Sequence, residues 1–239
     1  MTSDNPPVCS ICATPLAGEY CHACGQRHTG RPARLRELLL DAVSGLVSLE
    51  RSLLATLIRI LRDPVVPIAN YWAGNRGYFH SPGKMAFFAA FVVGLHFAFF
   101  GNQFLGLNIG VQGMPPQFGL LVVLIPLYSV SSRLTFFRGG RSLVEHLIAI
   151  VYLFSAWIVT FTALDLIQHR LLGNPLDELM VVLFMVVVFI GSARVHATER
   201  SWPARLGFAA LQVLVLATIV VVTVGLLYLL VPEAVDISQ

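Results

Sequence analysis

The stretch "FGLLVVLIPLYSVSSRLTFFRGGR", residues 118–141, decides the topology of this chain. Its apolar part, 118–134, is short, contains Pro126, and runs into Ser129, Ser131 and Ser132 before Arg133, Arg138 and Arg141. Crossing a hydrocarbon core of about 30 Å takes about 20 apolar residues. A membrane crossing and a re-entrant, half-inserted segment therefore compete here.

The surrounding sequence supplies the context. Of 239 residues, 56% are hydrophobic and 12% charged, against roughly 25% charged in an ordinary soluble domain, and the mean hydropathy is +0.75. Four further apolar runs, 85–105, 144–166, 176–193 and 206–231, have spanning length. Basic residues accumulate on the cytoplasmic side of spans. With five crossings, the segment up to Lys84, the loop holding Arg133, Arg138 and Arg141, and the loop holding Arg194, Arg200 and Arg205 share one side. That side then holds 15 of the 16 Lys and Arg residues, leaving Arg170 opposite. If 118–134 did not cross, three arginines would move outside. The charge pattern predicts five spans over 85–231, the N-terminus in the cytoplasm and an external tail, 232–239. The first residues lack the basic and apolar parts of a secretory signal, so the first span is expected to insert the protein.

The polar head, residues 1–84, carries nine of the basic residues and all four cysteines. Cys9 with Cys12, and Cys21 with Cys24, form two CxxC pairs. Four thiolates make the tetrahedral shell that zinc accepts, and Pro15 and Gly18 suit a hairpin that swings the second pair beside the first. Residues 1–30 are therefore predicted to form a small zinc ribbon and its flank, with one metal ion. Iron fits the same four sulfurs. A shell closed by four protein ligands keeps no open position for substrate, so the metal's role is structural.

Residues 31–63 follow a 3.6-residue period. Leu35, Leu38, Leu39, Ala42, Leu46, Leu49, Leu53, Leu57 and Ile60 share a face opposite Glu37, Asp41, Arg51, Arg59 and Arg62. This reads as an amphipathic helix lying at the bilayer interface or covering the cytoplasmic mouth of the bundle, stopped by Pro64. Glu50 intrudes on its apolar face, reaching either to the headgroup zone or to a loop arginine. Residues 64–84, with Tyr71, Trp72, Tyr78 and Phe79 among several prolines and glycines, are expected to be an irregular interfacial lead-in.

The succession of CxxC pairs, "YCHACGQ", a helix ending "ILRDP", "YWAGNRGYFHSP" and a multi-pass body resembles the bacterial membrane proteins of domain of unknown function family 3667. The resemblance is most specific over residues 9–84, and the "EH" at Glu145 and His146 is similar too. It implies a zinc ribbon and the bacterial cytoplasmic membrane, and it carries no established activity.

Ionisable groups inside spans mark functional sites by default. His96 lies about 16 Å along the first span, near mid-bilayer. Glu145 and His146 open the third span, where Glu145 can meet Arg141 at i−4. Asp165 and His169 repeat that spacing at its outer end. A small-residue stripe, Ala86, Ala90, Gly94 and Ala98, predicts close helix approach and puts the first span in the middle of the bundle. No catalytic triad, HExxH motif or phosphate-binding glycine loop occurs. Two functions remain. The first is a membrane-anchored interaction or regulatory protein whose ribbon and helix dock a cytoplasmic protein. Its partners include membrane lipids; a nucleic acid stays open as a partner of the ribbon, though the spacing does not indicate one. The second is a small transporter or channel component using His96, Glu145 and His146.

Overall fold

The computed structural model describes residues 8–9, 14–18, 21–23, 52–75, 79–100, 103–104, 107–108, 120–172 and 177–230. Apart from loops and turns, these residues are helical except for a minimal antiparallel pairing of Gln103–Phe104 with Leu107–Asn108 and a bridge between Val8 and Pro15. In chain order the helices are α1 (Ser52–Arg62), α2 (Val65–Trp72), α3 (Pro82–Phe100), α4 (Ile125–Thr135), α5 (Leu143–Leu172), α6 (Asp177–His196) and α7 (Trp202–Leu230). Glu50, Cys12 and Cys24 lie outside the described residues.

Among the described residues, four helices are long and apolar enough to cross a membrane: α3 and the stretches Leu143–Gln168, Leu179–His196 and Trp202–Thr223. The segment that decides the topology is shorter. A π-helical turn, Leu120–Leu124, leads into α4. Pro126 has no N–H, and its ring excludes an ordinary bond to the carbonyl of Val122 inside that turn. The helical stretch 120–135 rises about 24 Å, less than a full hydrocarbon core.

Ring and polar contacts fix the helix directions. The Tyr152 hydroxyl of α5 donates to the His80 carbonyl just before α3, and His96 meets Asp165, so α3 and α5 run parallel. Ser132 meets His146 while Tyr128 packs on Phe154, so α4 is antiparallel to α5. Phe184 against Phe154 and His196 against His146 make α6 antiparallel to α5 as well. Ser131 reaches the carbonyl of Gln212 and Phe136 packs on Phe208, which sets α7 antiparallel to α4.

The centre of the bundle is α5, not α3 as the small-residue stripe suggests. Of the spanning stretch of α5, 67% is buried, against 39% for α3. Met85, Ala89, Val93 and His96 form the buried side of α3, while Phe91, Leu95, Ala98 and Phe99 are exposed. The stripe therefore stands partly toward the bilayer. The reason lies in α5, whose middle buries Ile148, Tyr152, Phe154 and Ile158 within the bundle and which also carries the buried polar groups His146, Ser155 and Asp165. A helix of that kind is most stable when neighbours surround it.

The lead-in also differs from expectation, because Val65–Trp72 is helical. Pro67 sits in the first turn, where no intrahelical N–H bond is needed, and Asp63 accepts the N–H of Val65. Before it, α1 buries Leu53, Thr56, Leu57 and Ile60, the side predicted from the sequence periodicity. The Thr56 hydroxyl accepts the backbone N–H of His80, tying α1 to the entry of α3.

Helix α6 meets α5 closely at Gly191, where an added Cβ would stand 2.7 Å from Leu153 Cδ2. Gly191→Val is expected to destabilise the bundle by about 2 kcal/mol through overpacking. Gly207→Val, where a Cβ meets nothing within 4 Å, should cost nothing measurable. Unfolding titrations in mixed micelles check the difference, and equal stabilities would refute the close α5–α6 contact.

Candidate functional site

The ends of α4 and α6 and the starts of α5 and α7 come together at the basic end of the bundle. The loop from α4 to α5 is short, and Gly140 turns it with φ 69°, a left-handed conformation that suits glycine. Helix α5 then opens on a reciprocal cap. The backbone N–H of Ser142 donates to Glu145 Oε2 at 2.8 Å, and the N–H of Glu145 donates back to Ser142 Oγ at 3.3 Å. Arg141 Nη1 adds a 2.7 Å ion pair to Glu145 Oε1. This is the i,i+4 contact expected from the sequence, and it gives the Glu145 carboxylate a capping role. Arg141 also stacks on Trp72, 4.3 Å from the ring centroid, and Trp72 Nε1 donates to the Glu145 carbonyl at 3.0 Å.

One residue further on, His146 turns inward and is fully buried. Its Nδ1 lies 2.8 Å from Ser132 Oγ, which is 3.3 Å from Ser192 Oγ. Its ring stacks on His196 with centroids 4.1 Å apart. His196 is in turn packed between Trp72 and Phe136, at 5.4 and 5.2 Å. Three helices, α4, α5 and α6, thus each contribute polar groups to one seam. Among the described residues, Nε2 of His146, Nε2 of His196 and both side-chain polar atoms of Gln212 on α7 are buried without a hydrogen-bond partner. Such groups carry a desolvation cost that water or a ligand relieves.

His196 and Thr135 line a pocket of about 500 Å³, within the usual range for small-molecule sites. Phe136, Phe208 and Leu211 give it an apolar wall, and Arg138, Glu199 and Arg200 belong to its rim. The seam can accept and donate hydrogen bonds behind this opening. It is poorly suited to nucleophilic catalysis. Ser132 is fully buried, and the nearby carboxylate, Glu145, is directed to Ser142 and Arg141 rather than to His146.

His96 belongs to a second polar site. It lies four residues from the end of α3, about 6 Å along the axis, and so nearer the far end than mid-span. Its Nε2 is 3.2 Å from Asp165 Oδ2, with both side chains more than nine-tenths buried. Asp165, which sequence spacing places beside His169, turns into the bundle toward α3; the side chain of His169 lies outside the described residues.

Sequence reasoning does not reach Ser132, Ser192 or His196 as site residues, and it sets Asp165 beside His169 at the outer end of its span. The run of serines ending an otherwise apolar stretch was the signal available for Ser132. At the N-terminus, Cys9 and Cys21 are buried in one small cluster with Leu16. The N–H of Cys9 donates to the Thr14 carbonyl at 2.8 Å, closing the loop that follows it. Cys12 and Cys24, the other two expected ligands, lie outside the described residues. Among the described residues no three His, Cys, Asp or Glu side chains are grouped to hold a metal. A scan against protein-family models finds no match, and neither do searches of curated proteins and solved structures.

Proposed function

We propose that the chain is a five-span protein of the bacterial cytoplasmic membrane, akin to the family that residues 9–84 resemble, and that it docks a cytoplasmic partner protein. Cys9, Cys12, Cys21 and Cys24 hold one structural zinc in its head. The ribbon and the interfacial helix of residues 31–63 form the docking surface.

The observation that carries this reading is the junction between head and bundle. Helix α1 buries Leu53, Leu57 and Ile60, and Asp63 lies 3.8 Å from Arg59 and 3.7 Å from Arg194 of α6. Helix α1, seated on the spans in this way, is the element that would pass the position of a bound partner to them. The test compares intact protein with Cys21→Ser in partner capture from detergent extracts. A defined set of cytoplasmic proteins should be lost with the ribbon, and an identical set from both would reject the docking role.

The transporter reading draws on the buried His96–Asp165 pair. That pair and His146 are about 28 Å apart along α5. Between them Phe154 and Phe161 both pack edge-on against Phe184, and Tyr128 stacks on Phe189 at 5.0 Å. A polar route would have to pass this aromatic layer, which favours the docking role.

Helix directions support five crossings, since α3 ends far from the basic end and α4 finishes at it. Single cysteines at 113 or 238, in a chain lacking the native four, should react with an impermeant thiol reagent from outside. One at Gly139, where a Cβ meets nothing within 4 Å, should stay unlabelled. External labelling at 139 would remove the second crossing and leave four.

A further inference from the structure

We propose that the pocket beside His196 is a binding site for a membrane phospholipid, which it holds by its phosphodiester. Three observations converge on this chemistry. The first is position. The pocket is built where α4 and α6 end and α7 begins, the level at which a bilayer changes from acyl chains to headgroups. Trp202, 51% exposed, stands there at the start of α7, as interfacial tryptophans do.

The second is charge. Arg138 and Arg200 are exposed at the pocket and form no ion pair among the described residues. By contrast, Arg141 and Arg194 are engaged by Glu145 and Asp63. Guanidinium groups suit phosphate oxygens, which can accept two parallel hydrogen bonds from one arginine. Glu199 also lines the pocket, so its net charge matches a single phosphodiester better than a multiply phosphorylated headgroup.

The third is the wall. Phe136, Phe208 and Leu211 make the pocket's interior apolar, and Leu211 is 44% exposed. Beyond it Leu214 and Val221 are 65% and 71% exposed along α7, whose spanning stretch is only 11% buried. An acyl chain can follow that surface out of the pocket. Free phosphate would leave the wall uncovered, which is why the lipid is the better occupant. The buried Nε2 of His196 adds a hydrogen-bonding group behind the headgroup.

The site does not depend on the ribbon, so its fate and that of the docking role can be separated. The test uses the full chain in a neutral detergent, titrated with phosphatidylglycerol and followed by native mass spectrometry. Wild type should retain one lipid in preference to further copies. Arg138→Gln with Arg200→Gln should weaken that retention by at least about tenfold, at roughly 1 kcal/mol for each basic residue near a phosphate. Leu211→Asn should weaken it about threefold by removing apolar contact. Arg62→Gln with Lys84→Gln changes two basic residues outside the pocket and should leave retention intact. Equal losses from the two double variants would mean diffuse surface charge and overturn the site. Inorganic phosphate displacing the lipid from wild type as effectively as phosphatidylglycerol itself, with Leu211→Asn neutral, would assign the pocket to a free anion instead. The arginines and Leu211 are exposed, so these variants keep the core intact, which monodisperse elution verifies.

Discussion

His96→Leu should destabilise the folded bundle by about 3 kcal/mol, the scale found when one partner of a buried, hydrogen-bonded ionisable pair is removed. The motive is the 3.2 Å contact between His96 Nε2 and Asp165 Oδ2, with side-chain exposures of 3% and 8%. Leucine leaves the carboxylate of Asp165 in an apolar environment without its imidazole. Adding Asp165→Leu should then recover most of the loss, because two packed apolar side chains often replace a buried pair at little cost. The cycle should return a coupling of about 2 kcal/mol. Reversible unfolding of the four proteins in mixed micelles measures it. Additive effects of the two substitutions would show that the pair contributes no coupling. Since α3 packs on α5 through this contact, loss of coupling would also weaken the case that the pair aligns these two spans.

Loss of the metal is the second large expected effect. Purified protein should contain about one zinc per chain, and Cys21→Ser should abolish that content, because a three-thiolate remainder cannot close the shell. Structural zinc in small domains contributes on the order of 10 kcal/mol of binding free energy, ample to fold a segment of this size. The spans satisfy their own backbone hydrogen bonds, so the variant should still insert and elute as a folded bundle. The burial of Cys9 and Cys21 with Leu16 motivates the choice of residue. Carefully prepared wild-type protein free of zinc would falsify the ribbon, and iron in its place would correct the metal alone.

These two predictions draw on different amounts of sequence information. The thiol spacing is local, so four cysteines within sixteen residues suggest the metal shell without knowledge of the fold. The capping role of Glu145 is local too. Arg141, Ser142 and Glu145 meet within one turn, and the i,i+4 contact to Arg141 was legible from spacing. The apolar runs and the one-sided arginines likewise reflect the energetics of single segments in lipid and water, and four of the runs correspond to helices of spanning length.

The partners of the buried polar groups were not legible in this way. His146 is 14 residues from Ser132, and Ser132 is 60 from Ser192, while His96 and Asp165 belong to α3 and α5, separated by an entire further helix. Periodicity states which residues share a face of one helix; it does not say which helix that face meets. In hydrocarbon the apolar faces are nearly equivalent to lipid and to one another, so neighbours are selected by close packing and by the few polar groups able to find each other. The sequence by itself determined the four helices of spanning length, the clustering of arginines at one end and the spacing of the four cysteines. Tertiary structure alone decided that α5 is central, that Asp165 turns to His96, and that two histidines and two serines from three helices form one seam, because each of those outcomes is a contact between segments rather than a property of one.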